Sequence, residues 1–356
     1  MTLSVPSPQA IRVLVVDDSA FMRFTITKHL SADPAIHVLG TASDGLEALE
    51  LIPKLKPDVV TLDVEMPRLD GLSTLRKIMS TYPLPVIMLS SLTKEGTVET
   101  VQALTLGAVD FVAKPSNKAN VVSVMDEVIK KIKRAAQTRV WSVYQRQTPL
   151  AAAPADVRKG STRTLNRQDP IVIIGTSTGG PRALNTIMPV LSPRLQAAYV
   201  IIQHMPAGFT RSLAERLDGI SPLTIREAAP EDQLEIGKCL LAPGGFHMVF
   251  DTEQKVTLNQ NPPVHGVRPA IDVTIASIVN HFPNKIVGVI LTGMGSDGTN
   301  GAGLIHAAGG TVIAEAEETS IVWGMPRSVY EAGFADELVP LPDIPKAIER
   351  AITKVA

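Results

Sequence analysis

The sequence predicts an α/β protein made of two doubly wound domains, and two observations carry that prediction. The chain has 356 residues, more than a single hydrophobic core usually organises. Short, β-branched apolar runs alternate with amphipathic helical stretches in two separate blocks, a pattern typical of parallel sheets covered by helices on both faces. We therefore divide the chain into a domain over residues 10–135, a linker over 136–168 and a second domain over 169–356.

The composition is that of an ordinary globular protein and excludes several classes. Hydrophobic residues make up 45% and charged residues 19%, and the net charge of −1 gives no reason to expect a nucleic-acid partner. The N-terminus lacks a signal-peptide pattern and no apolar run is long enough to span a membrane, so we expect a cytoplasmic protein that is not membrane-embedded. Cys239 is the single cysteine, which excludes an internal disulfide and predicts a buried, unreactive thiol.

Five β/α units make up the first domain, which predicts an open, five-stranded parallel sheet. Strands are expected at Arg12–Val16, His37–Thr41, Val59–Leu62, Val86–Leu89 and Val109–Val112. The working residues of such sheets lie just beyond the carboxyl ends of the strands. The residues at those ends are Asp17, Asp18, Asp63, Ser90 and Lys114.

These residues predict an acidic pocket that binds a divalent cation. Three carboxylates at one edge repel each other unless a cation neutralises them, and ligands that are all oxygen suit Mg²⁺. A carboxylate beside Mg²⁺ can attack a phosphoryl group and form an aspartyl-phosphate. Lys114 would then pair with the phosphoryl charge, and the Ser90 hydroxyl would bond one of its oxygens. A single acidic residue at a strand end is more often a solvated group or a helix cap, but the coincidence of all five favours the pocket.

The segments VLVVDDS, LDVEMPRLDG, PVIMLSS and FVAKP occur in order and resemble the response-regulator receiver family over the whole first domain. The resemblance implies a flavodoxin-like receiver whose phosphoacceptor is Asp63, phosphorylated by a histidine kinase. The Mg²⁺ ligands that it implies are Asp17, Asp18, Asp63 and the main-chain carbonyl of Glu65. The switch and phosphoryl contacts that it implies are those of Ser90, Phe111 and Lys114. It also implies a cis peptide between Lys114 and Pro115.

The linker is predicted to be flexible and basic. Residues 130–168 contain ten basic residues against one acidic residue, and the stretch TPLAAAPADVRKGST is rich in alanine, proline, serine and threonine. A basic arm that touches nucleic acid is the alternative interpretation. No helix-turn-helix pattern and no interleaved aromatic residues accompany the charge, so a solvated linker is favoured.

The second domain is predicted to be another doubly wound, mostly parallel sheet. Its parallel strands are expected at Ile171–Ile174, Ala198–Ile202, Cys239–Ala242, Ile286–Leu291 and Thr311–Ala314. The segments Met248–Asp251 and Lys255–Asn259 are spaced like an antiparallel hairpin inserted into that pattern.

The first strand of the second domain leads into a glycine-rich turn, GTSTGGPR. Gly175-x-Ser177-x-Gly179 has the spacing of a nucleophile elbow, which exposes a serine on a sharp turn between a strand and a helix. Pro181 suits the first turn of the helix that follows. A phosphate-binding loop is the alternative, although neither a P-loop lysine nor a ribose-binding acid follows the turn.

A serine nucleophile requires a general base, and the base requires an orienting carboxylate. The strand-end rule places His204 beyond the second strand and Asp297 in a glycine-rich loop beyond a later one. Ser177, His204 and Asp297 are therefore expected to meet at one edge as a triad. Their order along the chain differs from the Ser, Asp, His order of α/β-hydrolases, which indicates an independent triad. His247 and His265 lie in expected loops and could also line the cleft.

The segments GTSTGGPRAL, QHMPAGFTRSLAERL, LAPGGFHM, RPAIDV and LTGMGSDG together resemble the catalytic domain of the CheB-type chemotaxis methylesterases. The resemblance implies hydrolysis of glutamate γ-methyl esters, and deamidation of glutamines, on methyl-accepting chemotaxis receptors at the membrane-proximal receptor array. It implies a chemotaxis histidine kinase as phosphodonor and no cofactor in this domain. Thr178 and the amide of Met294 are its candidates for the oxyanion hole. Phosphorylation at Asp63 is expected to control access to Ser177.

Two other functions remain for a receiver joined to an output domain. One is a DNA-binding response regulator, but its output is usually a small module with a basic recognition helix, whereas this second domain spans 188 residues and has an α/β pattern. The other is a non-catalytic adaptor that docks on receptors. The presence of Ser177, His204 and Asp297 together speaks against the adaptor.

Overall fold

The computed structural model describes residues 10–91, 93–115, 120–138, 159–166, 168–192, 194–281 and 286–355. The chain divides into two compact units, Met1–Gln145 and Arg146–Ala356. Each unit contains its own parallel sheet. Residues 139–158 and 167, which belong to the predicted linker, lie outside the described residues.

The first unit is a five-stranded parallel sheet in the order β2-β1-β3-β4-β5. Its strands are β1 Ile11–Val16, β2 Ile36–Ala42, β3 Val59–Asp63, β4 Val86–Ser90 and β5 Asp110–Ala113. Its helices are α1 Ala20–Leu30, α2 Gly45–Leu55, α3 Gly71–Thr81, α4 Lys94–Leu106 and α5 Val121–Ala135. The central strands are buried along their length because helices cover both faces, which is why they are continuous apolar runs. This confirms the flavodoxin-like arrangement.

Polar side chains fix the start of four helices in this unit. Ser19, Asp44, Asp70 and Thr93 each accept a hydrogen bond from a main-chain N–H in the first turn of α1, α2, α3 and α4 respectively. Such caps satisfy donors that the helix itself leaves unpaired. They therefore determine how long each strand-to-helix loop is, and those loops carry the acidic pocket.

The second unit is built on a seven-stranded sheet in the order β16-β15-β14-β7-β8-β11-β9, with every recorded pair parallel. Its strands are β7 Ile171–Thr176, β8 Ala198–Gln203, β9 Thr224–Glu227, β11 Lys238–Leu241, β14 Ile286–Ile290, β15 Thr311–Glu315 and β16 Glu337–Val339. The hairpin β12 His247–Phe250 and β13 Val256–Asn259 forms a separate antiparallel sheet. Its presence confirms the predicted insertion.

The helices of the second unit alternate with its strands. They are α6 Gly180–Ile187, α7 Phe209–Ile220, α8 Ile271–Val279, α9 Thr299–Ala307, α10 Met325–Glu331 and α11 Ile344–Val355. Short 3₁₀ turns follow at Met188–Val190 and Leu341–Asp343. The core lies between the sheet, α8, α9, α10 and the hairpin, where Ile173, Val200, Met248 and Ile275 are fully buried.

Several details differ from the sequence-based expectations. Strands β9 and β16 were not predicted, because they are short edge strands in which charged residues interrupt the apolar pattern. His247 is buried on β12 and its Nε2 lies 3.2 Å from the carbonyl oxygen of Pro262, so the proposal that it lines a cleft from a loop was wrong. The cis peptide recorded among the described residues is Arg268–Pro269; the bond before Pro115 keeps the trans form that is lower in energy.

Part of the predicted linker packs against the second unit. The Nζ of Lys159 donates to the main-chain oxygens of Asp218 and Leu223 at 2.6 and 2.8 Å. A two-residue strand, β6 Arg163–Thr164, pairs antiparallel with β10 Glu235–Ile236. Leu165 is buried beside that pair. Residues 159–166 are therefore an ordered edge of the second unit, and they were missed because their partners lie about 60 to 70 residues further along the chain.

Two further observations concern membrane-spanning helices and the single cysteine. Within the part of the chain that the structure describes, no helix has both the length and the apolar character needed to cross a bilayer. Cys239 is fully buried on β11, and this burial raises the pKa of its thiol. The expectation of an unreactive cysteine agrees with that environment, since the thiolate is the nucleophilic form.

We predict that a fragment of residues 159–356 is more stable than one of residues 169–356. The shorter fragment loses the Lys159 hydrogen bonds, the β6–β10 pair and the burial of Leu165, a side chain whose burial alone contributes on the order of 2 kcal/mol. Thermal denaturation should show a melting temperature several degrees lower for the shorter fragment. Equal melting temperatures would assign residues 159–166 back to the linker.

Candidate active site

The carboxyl ends of β1, β3 and β5 bring the predicted acidic residues together in the first unit. Ligand oxygens of Asp17, Asp18 and Asp63 all lie within 4.8 Å of one another. The ammonium of Lys114 lies 2.6 Å from Asp63 Oδ2 and 3.0 Å from Asp17 Oδ2. Within the described residues, neither of those two oxygens accepts a hydrogen bond of good geometry. Buried carboxylate oxygens without such partners form a donor set that fits a hard divalent cation.

Burial controls the electrostatics of this pocket. It raises the pKa of Asp63 to about 6, and the neighbouring charges of Asp17 and Asp18 add to that effect while Lys114 opposes it. Burial also opposes the charge on Lys114, but Asp63 and Asp17 together raise the pKa of Lys114 above its ordinary value. The ionised carboxylate of Asp63 is therefore stabilised by any positive charge added to the pocket.

The remaining residues predicted for the pocket are placed around it less directly. Ser90 is buried and donates to the carbonyl oxygens of Ser91 and Gly96 at 3.1 and 3.0 Å. Its hydroxyl is therefore committed to main chain here. Phe111 is buried, and the ammonium of Lys131 lies above its ring. Glu65 is exposed and its carboxylate accepts a hydrogen bond from Ser91.

In the second unit the serine turn and the predicted base sit side by side because β7 and β8 are paired in register. Thr176 at the end of β7 is the partner of Gln203 at the end of β8. Ser177 comes directly after β7 and His204 directly after β8. The His204 N–H donates to the Thr176 main-chain oxygen at 3.1 Å. The Gln203 amide then donates to the main-chain oxygens of both Ser177 and His204, at 3.0 and 3.1 Å.

Two glycines make the turn after Ser177 possible. Gly179 has a φ of 80°, a conformation that favours glycine. A Cβ on Gly180 would lie 2.1 Å from Gln203 Oε1 and 2.4 Å from Thr176 Oγ1. The Gly180 N–H also donates to the Ser177 oxygen at 2.8 Å. Helix α6 therefore begins immediately behind the serine.

His204 and Asp297 form the most direct contact of the predicted triad. His204 Nε2 lies 2.7 Å from Asp297 Oδ2, and both side chains are almost completely buried. No hydrogen bond from the Ser177 hydroxyl is recorded among the described residues. Catalytic hydrogen bonds in ligand-free enzymes are often long and shorten when substrate binds.

Asp297 is held in place by the main chain of α8. The N–H groups of Ile271 and Asp272 donate to its two carboxylate oxygens at 2.7 and 3.0 Å. Burial alone would raise the pKa of Asp297, but His204 and these two N–H groups hold the pKa below its ordinary value. Asp297 therefore remains ionised beside His204.

Asp272 and His265 extend this network. From the sequence, His265 was a candidate to line the cleft and Asp272 was assigned no role. Asp272 accepts the N–H groups of Gly298 and Gly301 at 2.9 and 2.7 Å, which ties the Asp297 loop to the start of α9. His265 Nε2 lies 2.9 Å from Asp272 Oδ2 and 3.9 Å from Asp297 Oδ1. The motif RPAIDV was the available signal for Asp272, but its contacts are visible only in three dimensions.

One oxyanion candidate, Thr178, follows Ser177 directly, and the other, Met294, follows a residue that lies against Ser177. A Cβ on Gly293 would be 2.8 Å from the Ser177 Cβ, so the segment that leads to Met294 runs directly against the serine. Met294 is 41% exposed, and no acceptor for its N–H is recorded among the described residues. The carbonyl oxygen of Thr178 accepts the Thr292 hydroxyl at 3.0 Å. The arrangement joins an accessible serine turn, a histidine paired with a buried carboxylate, and a nearby main-chain N–H, which are the parts required for acyl transfer.

Comparisons with known proteins find relatives for both units of the chain. The family model of the CheB methylesterase matches residues 172–348, and that of the response regulator receiver domain matches residues 13–126. A protein-glutamate methylesterase/protein-glutamine glutaminase of Symbiobacterium thermophilum is 50% identical over 96% of this chain and 97% of its own length. One of Pyrococcus abyssi is 45% identical over 97% of this chain and 94% of its own.

A solved structure resembles the second unit. The crystal structure of the Thermotoga maritima CheB methylesterase catalytic domain matches with a TM-score of 0.50 and 46% identity, over 52% of this chain and 98% of that one. The relatives from Symbiobacterium and Pyrococcus thus span both units, and this solved structure spans the second.

We predict that Asp63→Asn stabilises the first unit in the absence of divalent metal. The pKa of Asp63 is raised from 3.8 to about 6 by burial, so its favourable contribution to stability is complete below pH 3.8 and is lost as the pH rises through about 6. At pH 8 in EDTA the variant should melt about 5 °C above the parent, and the difference should disappear near pH 4. A variant that is less stable than the parent at pH 8 would contradict this explanation.

Proposed function

The chain belongs to the CheB methylesterase family, and on that premise we propose that it hydrolyses glutamate γ-methyl esters on methyl-accepting chemotaxis receptors by a Ser–His–Asp mechanism controlled by phosphorylation. The observation that carries the proposal is the 2.7 Å contact between His204 and Asp297. His204 follows β8, and β8 is paired in register with β7, the strand that ends just before Ser177. Since β14, β7 and β8 are neighbouring parallel strands, the residues beyond their carboxyl ends lie along the same edge of the sheet.

In the proposed mechanism Ser177 attacks the ester carbonyl while His204 takes its proton. Asp297 binds Nε2 of His204, so Nδ1 is the ring nitrogen left to act as the base. The protonated imidazole is stabilised by the ionised Asp297 and then donates its proton to the methoxide oxygen as the C–O bond breaks, so that methanol leaves. Water attacks the acyl-enzyme by the same route, which releases a free glutamate side chain and regenerates Ser177.

Negative charge develops on the carbonyl oxygen during both steps. The Met294 N–H and Thr178 are the proposed donors to that oxygen. Thr178 follows Ser177 directly, and Met294 follows Gly293, which lies against Ser177. Preorganised main-chain donors of this kind are effective since they need no reorganisation as the charge forms. A glutamine side chain presents the same carbonyl with ammonia as leaving group, so deamidation is proposed as a second activity of the same site.

The first unit is proposed to regulate this activity as a receiver. Asp63 is the proposed phosphoacceptor, and a chemotaxis histidine kinase is the proposed phosphodonor. Asp17, Asp18, Asp63 and the Glu65 carbonyl would hold Mg²⁺, which when bound neutralises phosphoryl charge during transfer. Lys114 is the proposed partner of the phosphoryl group. Ser90 and Phe111 are the proposed switch residues, and Ser90 would exchange its main-chain contacts for a phosphoryl oxygen.

The proposed substrates define where the protein works. Receptor glutamates that carry methyl esters lie on helices at the cytoplasmic side of the membrane, as the family resemblance implies, so we propose a cytoplasmic enzyme acting at the receptor array. A DNA-binding role is disfavoured because the second unit belongs to a hydrolase family.

We predict that Ser177→Ala abolishes release of methanol from methylated receptor. Removing the nucleophile should lower kcat by at least ~10³-fold and leave the melting temperature within about 2 °C of the parent. Ser296→Ala is the matched control, because Ser296 is an exposed serine beside Asp297 and should keep full activity. A Ser177→Ala protein that still releases methanol would exclude the triad.

We also predict that Asp63→Asn removes activation by a phosphodonor. In the parent, acetyl phosphate and Mg²⁺ should increase methanol release several-fold, because phosphorylation stabilises one of two receiver states. The variant should keep the unstimulated rate and show no increase. Asp58→Asn is the control, since Asp58 precedes β3 at the opposite end of the sheet and pairs with Arg12. Equal stimulation of the Asp63→Asn protein would contradict regulation through Asp63.

A further inference from the structure

Glu315 is a buried acidic residue that the proposed mechanism does not use. It is the last residue of β15 and is completely shielded from solvent. A carboxylate in such a place is costly unless it is hydrogen-bonded. Its Oε2 accepts the main-chain N–H of Thr292 at 2.8 Å, and its Oε1 accepts the hydroxyl of Thr319 at 3.0 Å.

Thr292 connects Glu315 to the serine turn. Its carbonyl oxygen accepts the Ser177 N–H at 3.0 Å and the Thr176 hydroxyl at 3.2 Å. Its own hydroxyl donates to the Thr178 oxygen at 3.0 Å. Three consecutive residues of the turn, one of them the proposed nucleophile, are therefore bonded to the residue that Glu315 holds.

Thr292 is also the start of the segment that presents the proposed oxyanion donor. Gly293 and Met294 follow it directly. The Gly293 N–H donates to the Val322 oxygen at 3.0 Å, and the Gly293 oxygen accepts the Met325 N–H at 2.8 Å. A shift of Thr292 would therefore move the Met294 N–H and Ser177 together.

We propose that Glu315 is a positioning residue for the hydrolysis: by accepting the Thr292 N–H, its carboxylate holds the Ser177 turn and the Gly293–Met294 segment in the geometry that the reaction requires. The inference rests on the proposed function and deepens it. Glu315 does not touch the reacting atoms, and it acts through Thr292.

The ionised form of Glu315 is the one that fits these contacts. Both oxygens accept hydrogen bonds. A proton on Oε2 would face the Thr292 N–H, and a proton on Oε1 would require the Thr319 hydroxyl to accept instead of donate. Burial raises the pKa of Glu315 to about 7, opposed by its hydrogen bonds and by Arg182 of α6. Among the described residues Arg182 is the charged group acting on it. Thr292, Thr319 and Ser320 act through hydrogen bonds, and Val339 is its register partner on β16.

A decrease in pH through about 7 therefore weakens the support of Thr292. In the parent, kcat should fall on the acid side as Glu315 is protonated. Glu315→Gln keeps an oxygen that can accept the Thr292 N–H but cannot titrate. Its acid limb should be less steep than that of the parent by about one proton per pH unit, and its kcat at pH 8 should stay within about fivefold of the parent.

Glu315→Ala removes the acceptor, and Asp336→Ala is its matched control. Asp336 Oδ2 accepts the Val312 N–H at 2.8 Å, so it makes the same type of bond near the opposite end of β15. With full-length protein and methylated receptor, Glu315→Ala should lose roughly 10- to 100-fold in kcat with KM within about threefold. Asp336→Ala should lower the melting temperature without changing kcat by more than about twofold.

The outcomes separate this inference from the proposed function. Ser177→Ala is measured in the same assay, and residual activity there would overturn the triad itself. If Ser177→Ala is inactive while Glu315→Ala keeps the parent kcat, only the positioning role of Glu315 is overturned. Should Glu315→Ala fail to fold, the pH profile decides: an acid limb that is as steep in Glu315→Gln as in the parent contradicts the inference, and a shallower one supports it.

Discussion

The parallel pairing of β7 with β8 on one side and with β14 on the other is the constraint on which the candidate active site depends. Parallel strands that are paired in register end at the same level, so the first residues beyond them are forced to be neighbours. Ser177 and His204 are such neighbours across the β7–β8 pair. The β7–β14 pair brings Thr292 to the serine turn in the same way, because the Leu291 N–H continues the pairing to the Gly175 oxygen. Side chains more than 100 residues apart are thus placed by main-chain hydrogen bonds.

The two units treat buried carboxylates in opposite ways, and the difference follows their proposed chemistry. Asp297 is surrounded by donors, which keeps it ionised as a permanent partner of His204. Asp63 is buried beside two other carboxylates, which raises its pKa, and the positive charge of Lys114 only partly offsets that rise. A satisfied carboxylate is suited to orienting a base for every turnover. An under-satisfied one responds strongly to a cation or a phosphoryl group, as a regulatory site requires.

Much of this arrangement could be predicted from the sequence because it depends on local patterns. Continuous apolar runs marked the central strands, and the residues that follow them supplied Asp63, Ser177 and His204. The roles of Thr292 and Glu315 could not be read in that way. Their importance comes from contacts with residues 23 to 116 positions away, and a buried glutamate at the end of an apolar strand has no distinguishing local signal. Lys159 was assigned to the linker for the same reason.

The strand order of the second unit has a consequence for how a large substrate reaches Ser177. From β7 the chain winds outward through β8 in one direction, and from β14 it winds outward through β15 in the other. Since crossovers between parallel strands are right-handed, α6 and α9 lie on opposite faces of the sheet, and the loops above β7 and β14 diverge. The serine thus stands at a topological switch point, where an open sheet forms a natural crevice. The proposed protein substrate would therefore reach Ser177 from the loops at this edge of the sheet.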